Sequence, residues 1–250
     1  MDIEQQLHDL TGALPDGISE GVALGTGIAD GYDFYESPVG KVVVTFNPNG
    51  VSSLSLAAED FEGYFSRRHG RRLIRAEAPT AWSGQIPTAI DAGTPGTLPV
   101  DLRSVTPFQD RILRIAATIP KGEVRPYGWL AREAERPGAS RAVGSTMARN
   151  PIPLIIPCHR VVRSDGTIGA YSLGGPHIKW ELLTNEGAGP ERLEDLAEQK
   201  VRVQGNVSTH IFCHPTCRAL RRSKPENVVD FRSGRAAAEA GFRPCELCRP

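Results

Sequence analysis

Five cysteines carry most of the chemistry legible in this 250-residue sequence: Cys158, Cys213, Cys217, Cys245 and Cys248. Cys158 stands alone in the stretch Pro157-Cys158-His159-Arg160-Val161-Val162, between the apolar run Ile152 to Ile156 and a polar turn, with a histidine directly after it. A thiol is a weak nucleophile until it loses its proton, and a neighbouring base or a helix N-terminus promotes that loss. Two readings fit these residues alone: an activated nucleophile, or a small apolar residue at a strand end, since free cysteine is among the most buried types. The other four crowd into the last 38 residues as Cys213-x3-Cys217 and Cys245-x2-Cys248, with 27 residues between the pairs. That spacing is a tetrathiolate zinc signature. The first twenty residues are acidic and lack the apolar centre of a secretory signal, so a cytoplasmic location and metal binding, rather than disulfides, are the expectation.

The elements that must position these residues are readable in outline. Hydrophobic residues make up 40% of the chain and charged residues 23%, ordinary values for a globular protein, and no apolar run approaches the ~20 residues that cross a membrane. The net charge of zero is unevenly spread: residues 1–106 sum to −7, residues 107–200 to +2 and residues 201–250 to +5. An acidic front and a basic back suit a nucleic-acid surface on the later part, as does any solvated mixed surface. A short helix is expected around Asp2 to Leu10. Gly25-Thr26-Gly27-Ile28-Ala29-Asp30-Gly31 hints at a phosphate loop, but the third glycine is misplaced for a dinucleotide fingerprint, and the stretch reads as a plain loop. Strands are predicted at Val42 to Phe46 and Val51 to Leu56 around the turn Asn47-Pro48-Asn49-Gly50, a helix from Phe61 to His69, strand pieces at Leu73-Ile74 and Val100 to Leu102, and a loop from Ala78 to Leu98. From Thr106 the texture becomes helical, with one amphipathic helix carrying Phe108, Ile112, Leu113 and Ile115-Ala116. A second runs from Tyr127 to Glu135 and a third from Ala139 to Arg149, the last two joined by a short glycine-containing turn as in a helix-turn-helix. Later helices are predicted from Ile178 to Asn185 and from Glu191 to Lys200.

With TPFQ, GEVRPY, RAVG, RNP, PCHRVV, GAYS and NEG in this order between Thr106 and Gly187, the chain resembles the methylated-DNA–protein-cysteine methyltransferase family. Before residue 100 only SPVGKVVV and PVDL are suggestive. The resemblance implies a single-turnover enzyme that moves the alkyl group of O6-alkylguanine in DNA onto Cys158. His159 would draw the thiol proton through a water, and Glu186 would orient the imidazole. Tyr127 would help expel the base, and Asn150 would knit the recognition helix to the active-site turn. The target atom is out of reach inside a duplex, so the base must be flipped. The resemblance makes Arg141 the finger that fills the vacated stack and places Val161, Tyr171 and Ser172 around the guanine. Arg125 and Arg149 are candidate phosphate contacts, or equally solvated surface charges. Residues 1–106 hold no cysteine, so the zinc site of some family front domains is absent, and Leu173 reads as an insertion beside the pocket. Alkyltransferase-like proteins that bind lesions without repairing them lack the cysteine, so Cys158 argues against that class.

The last forty residues, through IFCHPTCR, ENVVDF, AAEAGFRPC and LCRP, resemble the zinc module of the bacterial adaptive-response protein. This implies one Zn²⁺ on Cys213, Cys217, Cys245 and Cys248, with Cys213 also accepting a methyl from a DNA methylphosphotriester. Four thiolates give the site a net charge of −2, which Arg218, Arg221, Arg222 and Arg243 would offset towards phosphate. The alternatives are a methylation-sensing DNA-binding regulator and a zinc module used only for structure and recruitment. The adaptive-response protein places this module first, ahead of a transcription-activating domain for which no residues remain here, so repair of two lesions is the simpler expectation. The fold expected is α+β and multi-domain, acting as a monomer on double-stranded DNA. An α/β, ribonuclease-H-like scaffold would span residues 1–103, and a helical, winged-helix or helix-turn-helix-like alkyltransferase domain 104–188. A linker 189–206 would lead to the tetracysteine zinc domain 207–250.

Overall fold

The computed structural model describes residues 18–58 and 60–250, so the helix expected at Asp2 to Leu10 lies outside the described residues. The front begins with α1 (Ile18–Thr26) and then β1 (Ala29–Tyr35), β2 (Val42–Asn47) and β3 (Gly50–Leu56). After these come α2 (Phe61–His69), β4 (Arg72–Arg75), α3 (Thr80–Ser83) and α4 (Gln85–Ala92). The sheet order is β3-β2-β1-β4, antiparallel except for the parallel β1–β4 pair. The glycine-dotted stretch read as a loop is therefore the end of α1 and the start of β1. Gly31 lies within β1 opposite Phe46, and a Cβ there would stand 2.5 Å from the Phe46 ring, so the glycine serves close packing rather than a phosphate. The stretch Ala78 to Leu98 is not a loop either, since it holds α3 and α4. Pro87 is tolerated because it sits in the first turn of α4, where backbone N–H groups have no intrahelical partner. Val100 forms only an isolated bridge to Val51, not a strand.

Helix α5 (Pro107–Ala116) starts where the sequence has its clearest stop-and-start signal. Thr106 and Gln109 form a reciprocal capping box, with Pro107 in the first turn. Ile112, Leu113 and Ala116 face inward. The chain then runs through β5 (Arg125–Pro126), α6 (Tyr127–Glu133) and α7 (Ser140–Ala148) to a 3-10 turn (Cys158–Arg160) and β6 (Val161–Val162), which pairs parallel with β5. One hydrophobic core joins Val44 and Leu54 of the front sheet, Ile86 and Ile90 of α4, Leu113 of α5, Leu130 of α6, Val143 of α7 and the run Ile152 to Ile156 with Cys158. The front sheet thus forms the floor under the thiol. The Leu54 N–H donates to the Pro151 carbonyl at 2.9 Å, tying β3 to the thiol-bearing segment.

Helix α8 (Pro176–Asn185) packs on the 3-10 turn, and α9 (Pro190–Glu198) follows. The last sheet comprises β7 (Val203–Asn206), β8 (Ile211–Cys213), β9 (Val228–Phe231) and β10 (Arg243–Pro244), in the order β10-β8-β7-β9, with α10 (Gly234–Glu239) beside it. The stretch read as a linker therefore contains a central strand of this sheet, β7, paired with both β8 and β9. The molecule is α+β, and no helix among the described residues is long and apolar enough to cross a membrane.

Candidate active site and metal centre

Cys158 opens the 3-10 turn and is 3% exposed. Asn150, just past the end of α7, reaches across the intervening turn. Its Nδ2 donates to the Ile156 carbonyl at 2.8 Å and to the Cys158 Sγ at 3.2 Å, while its Oδ1 accepts from the Ile152 N–H at 3.0 Å. Between them Leu154 is held at φ 69°, a left-handed conformation that a branched residue adopts only when its surroundings demand it. Burial pushes the Cys158 thiol up, while the Asn150 hydrogen bond and the Lys179 ammonium oppose it. Replacing Asn150 with alanine leaves the Ile152 N–H buried without a partner and takes from the Ile156 carbonyl one of its two donors, the Cys158 N–H remaining. Asn150→Ala is therefore expected to cost about 1–3 kcal/mol in urea unfolding, and a loss below 0.5 kcal/mol would contradict this account.

His159 Nε2 lies 3.0 Å from Glu186 Oε1, and its Nδ1 is buried with no protein partner. Burial lowers the His159 pKa against the opposing pull of Glu186, so the ring is a neutral base at neutral pH. Burial would raise the Glu186 carboxyl, but hydrogen bonds from His159 and Arg160 outweigh it and hold it at about 2. A nucleophile, a neutral base with one nitrogen unclaimed and a carboxylate on the other nitrogen are the parts needed to take a thiol proton and stabilise the resulting imidazolium. Tyr171 is buried, and its ring meets His159 edge-on at 6.2 Å. Tyr127, the first residue of α6, packs half-buried on the core that includes Cys158. Val161 follows the turn, with its carbonyl accepting from Lys179 Nζ at 2.6 Å.

Other predicted residues lie outside this cluster. Ser172 is exposed, and Arg141 is exposed in the first turn of α7. Arg149 is exposed at the C-terminal end of α7, where its carbonyl accepts from Arg68 at 2.6 Å. Arg125 is not a phosphate contact: it is 3% exposed and paired with buried Glu123 at 2.5 Å. Its place at the start of β5, against β6, turns it inward.

Two buried cations were given no role by the sequence reading. Arg160, 1% exposed, donates to both Glu186 oxygens, to Gly93 and Ile119 carbonyls at 3.0 and 2.8 Å, and to the Ala92 carbonyl at 2.8 Å. A Cβ on Gly93 would collide with this guanidinium, and φ there is +61°. Lys179, 1% exposed, bonds the Val161 and Ile168 carbonyls at 2.6 and 2.7 Å, and burial lowers it to about 8. The signal for Lys179 is its period: with Leu182, Leu183 and Glu186 it lies at i, i+3, i+4 and i+7, on the inward face of α8.

The four C-terminal cysteines converge. Cys213 ends β8, Cys245 follows β10, Cys217 and Cys248 lie in turns, and all four are buried. Their sulfurs lie within 4.8 Å of one another. A tetrahedral zinc with Zn–S of ~2.3 Å needs sulfurs about 3.8 Å apart, so the donor set fits that ion. Beside them opens a depression of about 320 Å³ whose lining includes Cys213, Cys245, Thr209, Arg243 and Leu247.

Residues 107–188 match the family model of the 6-O-methylguanine DNA methyltransferase DNA-binding domain, and residues 195–250 match the metal-binding domain of Ada. A methylated-DNA–protein-cysteine methyltransferase of Mycobacterium tuberculosis is 36% identical over 159 residues, covering 62% of this chain and 91% of that protein. The bifunctional transcriptional activator/DNA repair enzyme Ada of Escherichia coli is 46% identical over 99 residues, 40% of this chain and 27% of that one. The crystal structure of M. tuberculosis OGT in complex with DNA superposes with a TM-score of 0.51 at 32% identity, covering 67% of this chain and 98% of that one. With that module match and the sulfur geometry together, Cys213, Cys217, Cys245 and Cys248 hold one tetrathiolate zinc.

Proposed function

The chain belongs to the methylated-DNA–protein-cysteine methyltransferase family, and from that membership we propose that it repairs DNA by moving the alkyl group of O6-alkylguanine irreversibly onto Cys158. The observation that carries this reading is the ring of His159, the residue directly after Cys158, held by Glu186 on Nε2 while the buried Nδ1 has no protein partner. The Cys158 proton passes through a water to His159 Nδ1, and Glu186 stabilises the imidazolium. Sγ then attacks the alkyl carbon, the carbon–O6 bond breaks, and its electron pair stays on the guanine. Tyr127 supplies the ring with a proton that the imidazolium and solvent replace, so one thiol proton ends on the base and one thioether on the protein. No step regenerates Cys158.

The flipped base lies against Val161, Tyr171 and Ser172, Arg141 fills its place in the stack, and Asn150 keeps the recognition helix α7 registered to the thiol. The enzyme acts as a cytoplasmic monomer on double-stranded DNA, with a ribonuclease-H-like scaffold in residues 1–103 and the transfer domain in 104–188. Intact-mass and peptide mapping after exposure to O6-methylguanine DNA tests this. One methyl is expected, on the peptide containing Cys158, and a methyl found elsewhere defeats the assignment.

A second acceptor is favoured by the depression beside Cys213, where Arg243 lines the approach. Bound zinc keeps the four thiols ionised at neutral pH. Cys213 takes the methyl of a DNA methylphosphotriester, the methyl carbon–oxygen bond breaks, and an ordinary phosphodiester remains. Arg218, Arg222 and Arg243 are exposed and offset the anionic site towards phosphate. If methylphosphotriester DNA adds nothing to the Cys213 peptide, the module serves structure and recruitment. Tight promoter binding only after Cys213 methylation would mark a regulator instead.

A further inference from the structure

The loop between α5 and β5 is pressed on from two sides. On one side, the Gly122 N–H donates to Glu186 Oε2 at 3.3 Å, and Arg125-Pro126 pairs with Val161-Val162 directly after the catalytic turn. On the other side three consecutive residues of the loop are each bound by the zinc module. Arg221 donates to the Gly122 carbonyl, the Arg218 N–H to Glu123 Oε1 at 3.2 Å, and the Val124 N–H to Thr216 Oγ1 at 2.9 Å. Gly122 is where the two sides meet. It is buried at φ +76°, and a Cβ there would lie 2.6 Å from the Glu186 carbonyl oxygen and 3.0 Å from Arg221 Nη2. No other residue type fits that pinch. The module has a second grip on the helix that bears Tyr127: Arg249 pairs with Glu133 at 2.6 Å, and its carbonyl accepts from Arg132 at 3.2 Å.

We infer that the zinc module is part of the alkyl-transfer site, with Arg221 a positioning residue that, with Thr216 and Arg218, clamps the 122–124 loop and so fixes Glu186 on His159. This rests on the reading of Cys158 as acceptor. Glu186 Oε1 serves His159 and Arg160 together, whereas Oε2 accepts from Arg160 Nε and Gly122. With Gly122 withdrawn, Oε2 keeps only Arg160 Nε, and the carboxylate tilts within the guanidinium fork and loosens the Oε1–imidazole bond. A displacement near 1 Å at a catalytic group can cost ~100-fold in rate, and a partial loosening correspondingly less.

The test is single-turnover methyl transfer from duplex DNA containing O6-methylguanine, using the full zinc-loaded chain across a pH series. With DNA saturating, Arg221→Ala is expected to slow transfer about tenfold at neutral pH, with bound zinc unchanged. The deficit should narrow as pH rises, because ionisation of the thiol by hydroxide replaces the misplaced base, and Arg221→Lys should recover most of the rate. Unchanged rates, or a deficit equal at every pH, overturn the inference. Should Arg221→Ala shed zinc, Thr216→Val takes its place under the same criteria. A parallel Cys158→Ala chain separates the two claims: methyl uptake that persists in it overturns the acceptor assignment and the clamp with it, whereas uptake abolished in it together with unchanged rates in Arg221→Ala overturns the clamp alone.

Discussion

Arg160→Ala is expected to destabilise the protein by about 4 kcal/mol, in the range seen when one partner of a buried ion pair is removed. The guanidinium is 1% exposed and lies at the junction of three structural elements. It satisfies Ala92 and Gly93 carbonyls where α4 ends, the Ile119 carbonyl beyond α5, and the Glu186 carboxylate beyond α8. Truncation leaves three carbonyls without partners and a buried carboxylate without its cation, with only His159 and Gly122 still bonded to it. For a chain of this size the melting temperature should fall by about 10 °C, and lysine, which cannot reproduce the planar fork, should recover little of it. A fall under 2 °C would show that water replaces the guanidinium freely. The same contact predicts an acid limb. The Glu186 carboxyl sits at about 2, below its ordinary 4.5, so its stabilisation is complete above pH 4.5 and is lost as pH falls towards 2. That loss is of order 3 kcal/mol for the native protein, and Arg160→Ala should show much less of it.

How much of this was legible beforehand depended on whether a local signal survived. The helices α5, α6 and α7 were readable because apolar residues recur at helical spacing on α5 and proline–glycine stops follow α5 and α6. The cysteine quartet was readable because ligand spacing reflects metal geometry. β1 was hidden because Asp30, Gly31 and Asp33 are poor strand formers; Asp30 is paid for in place by Arg71 at 2.6 Å and Ser52 at 2.5 Å, contacts separated by tens of residues. The helices α3 and α4 were hidden by Pro79, Gly84 and Pro87, breakers that happen to fall at helix starts. Arg125, Arg160 and Lys179 were missed or misread because sequence reasoning sends cations to the surface. Each is buried against acceptors supplied by other segments, which only the tertiary fold reveals. β7 went unread because Gln204, Gly205 and Asn206 carry no strand signal of their own; its pairing on both sides with β8 and β9 supplies it.

Removing zinc is expected to unfold residues 203–250 while leaving the alkyl-transfer region folded. Besides Leu220, Ile211 and Val228 around the cysteines themselves, the module's apolar residues are Val203, Phe212 and Ala237, with Phe231 and Phe242 partly buried against them, far less than a domain needs to stand on its own. Structural zinc contributes ~10–16 kcal/mol in comparable small modules, so most of this segment's folding free energy resides in the four sulfur bonds. The main core draws no residue from the module: Ile112, Leu130, Val143, Ile155 and Cys158 pack among themselves and against the front sheet. Hydrogen exchange on chelated protein should therefore show the amides of Gln204, Gly205 and Cys213 lose protection, while those of Leu113, Leu130 and Val143 keep it. Acid should have the same effect without chelator, because protonated thiols release the ion. The Val124 N–H, held by Thr216, should report the event from outside the module by exchanging faster as the clamp dissolves. Protection that persists throughout residues 203–250 after metal is gone would mean that the fold, not the ion, gathers the cysteines. The loop at Gly122 would then keep its restraint whether or not zinc is bound.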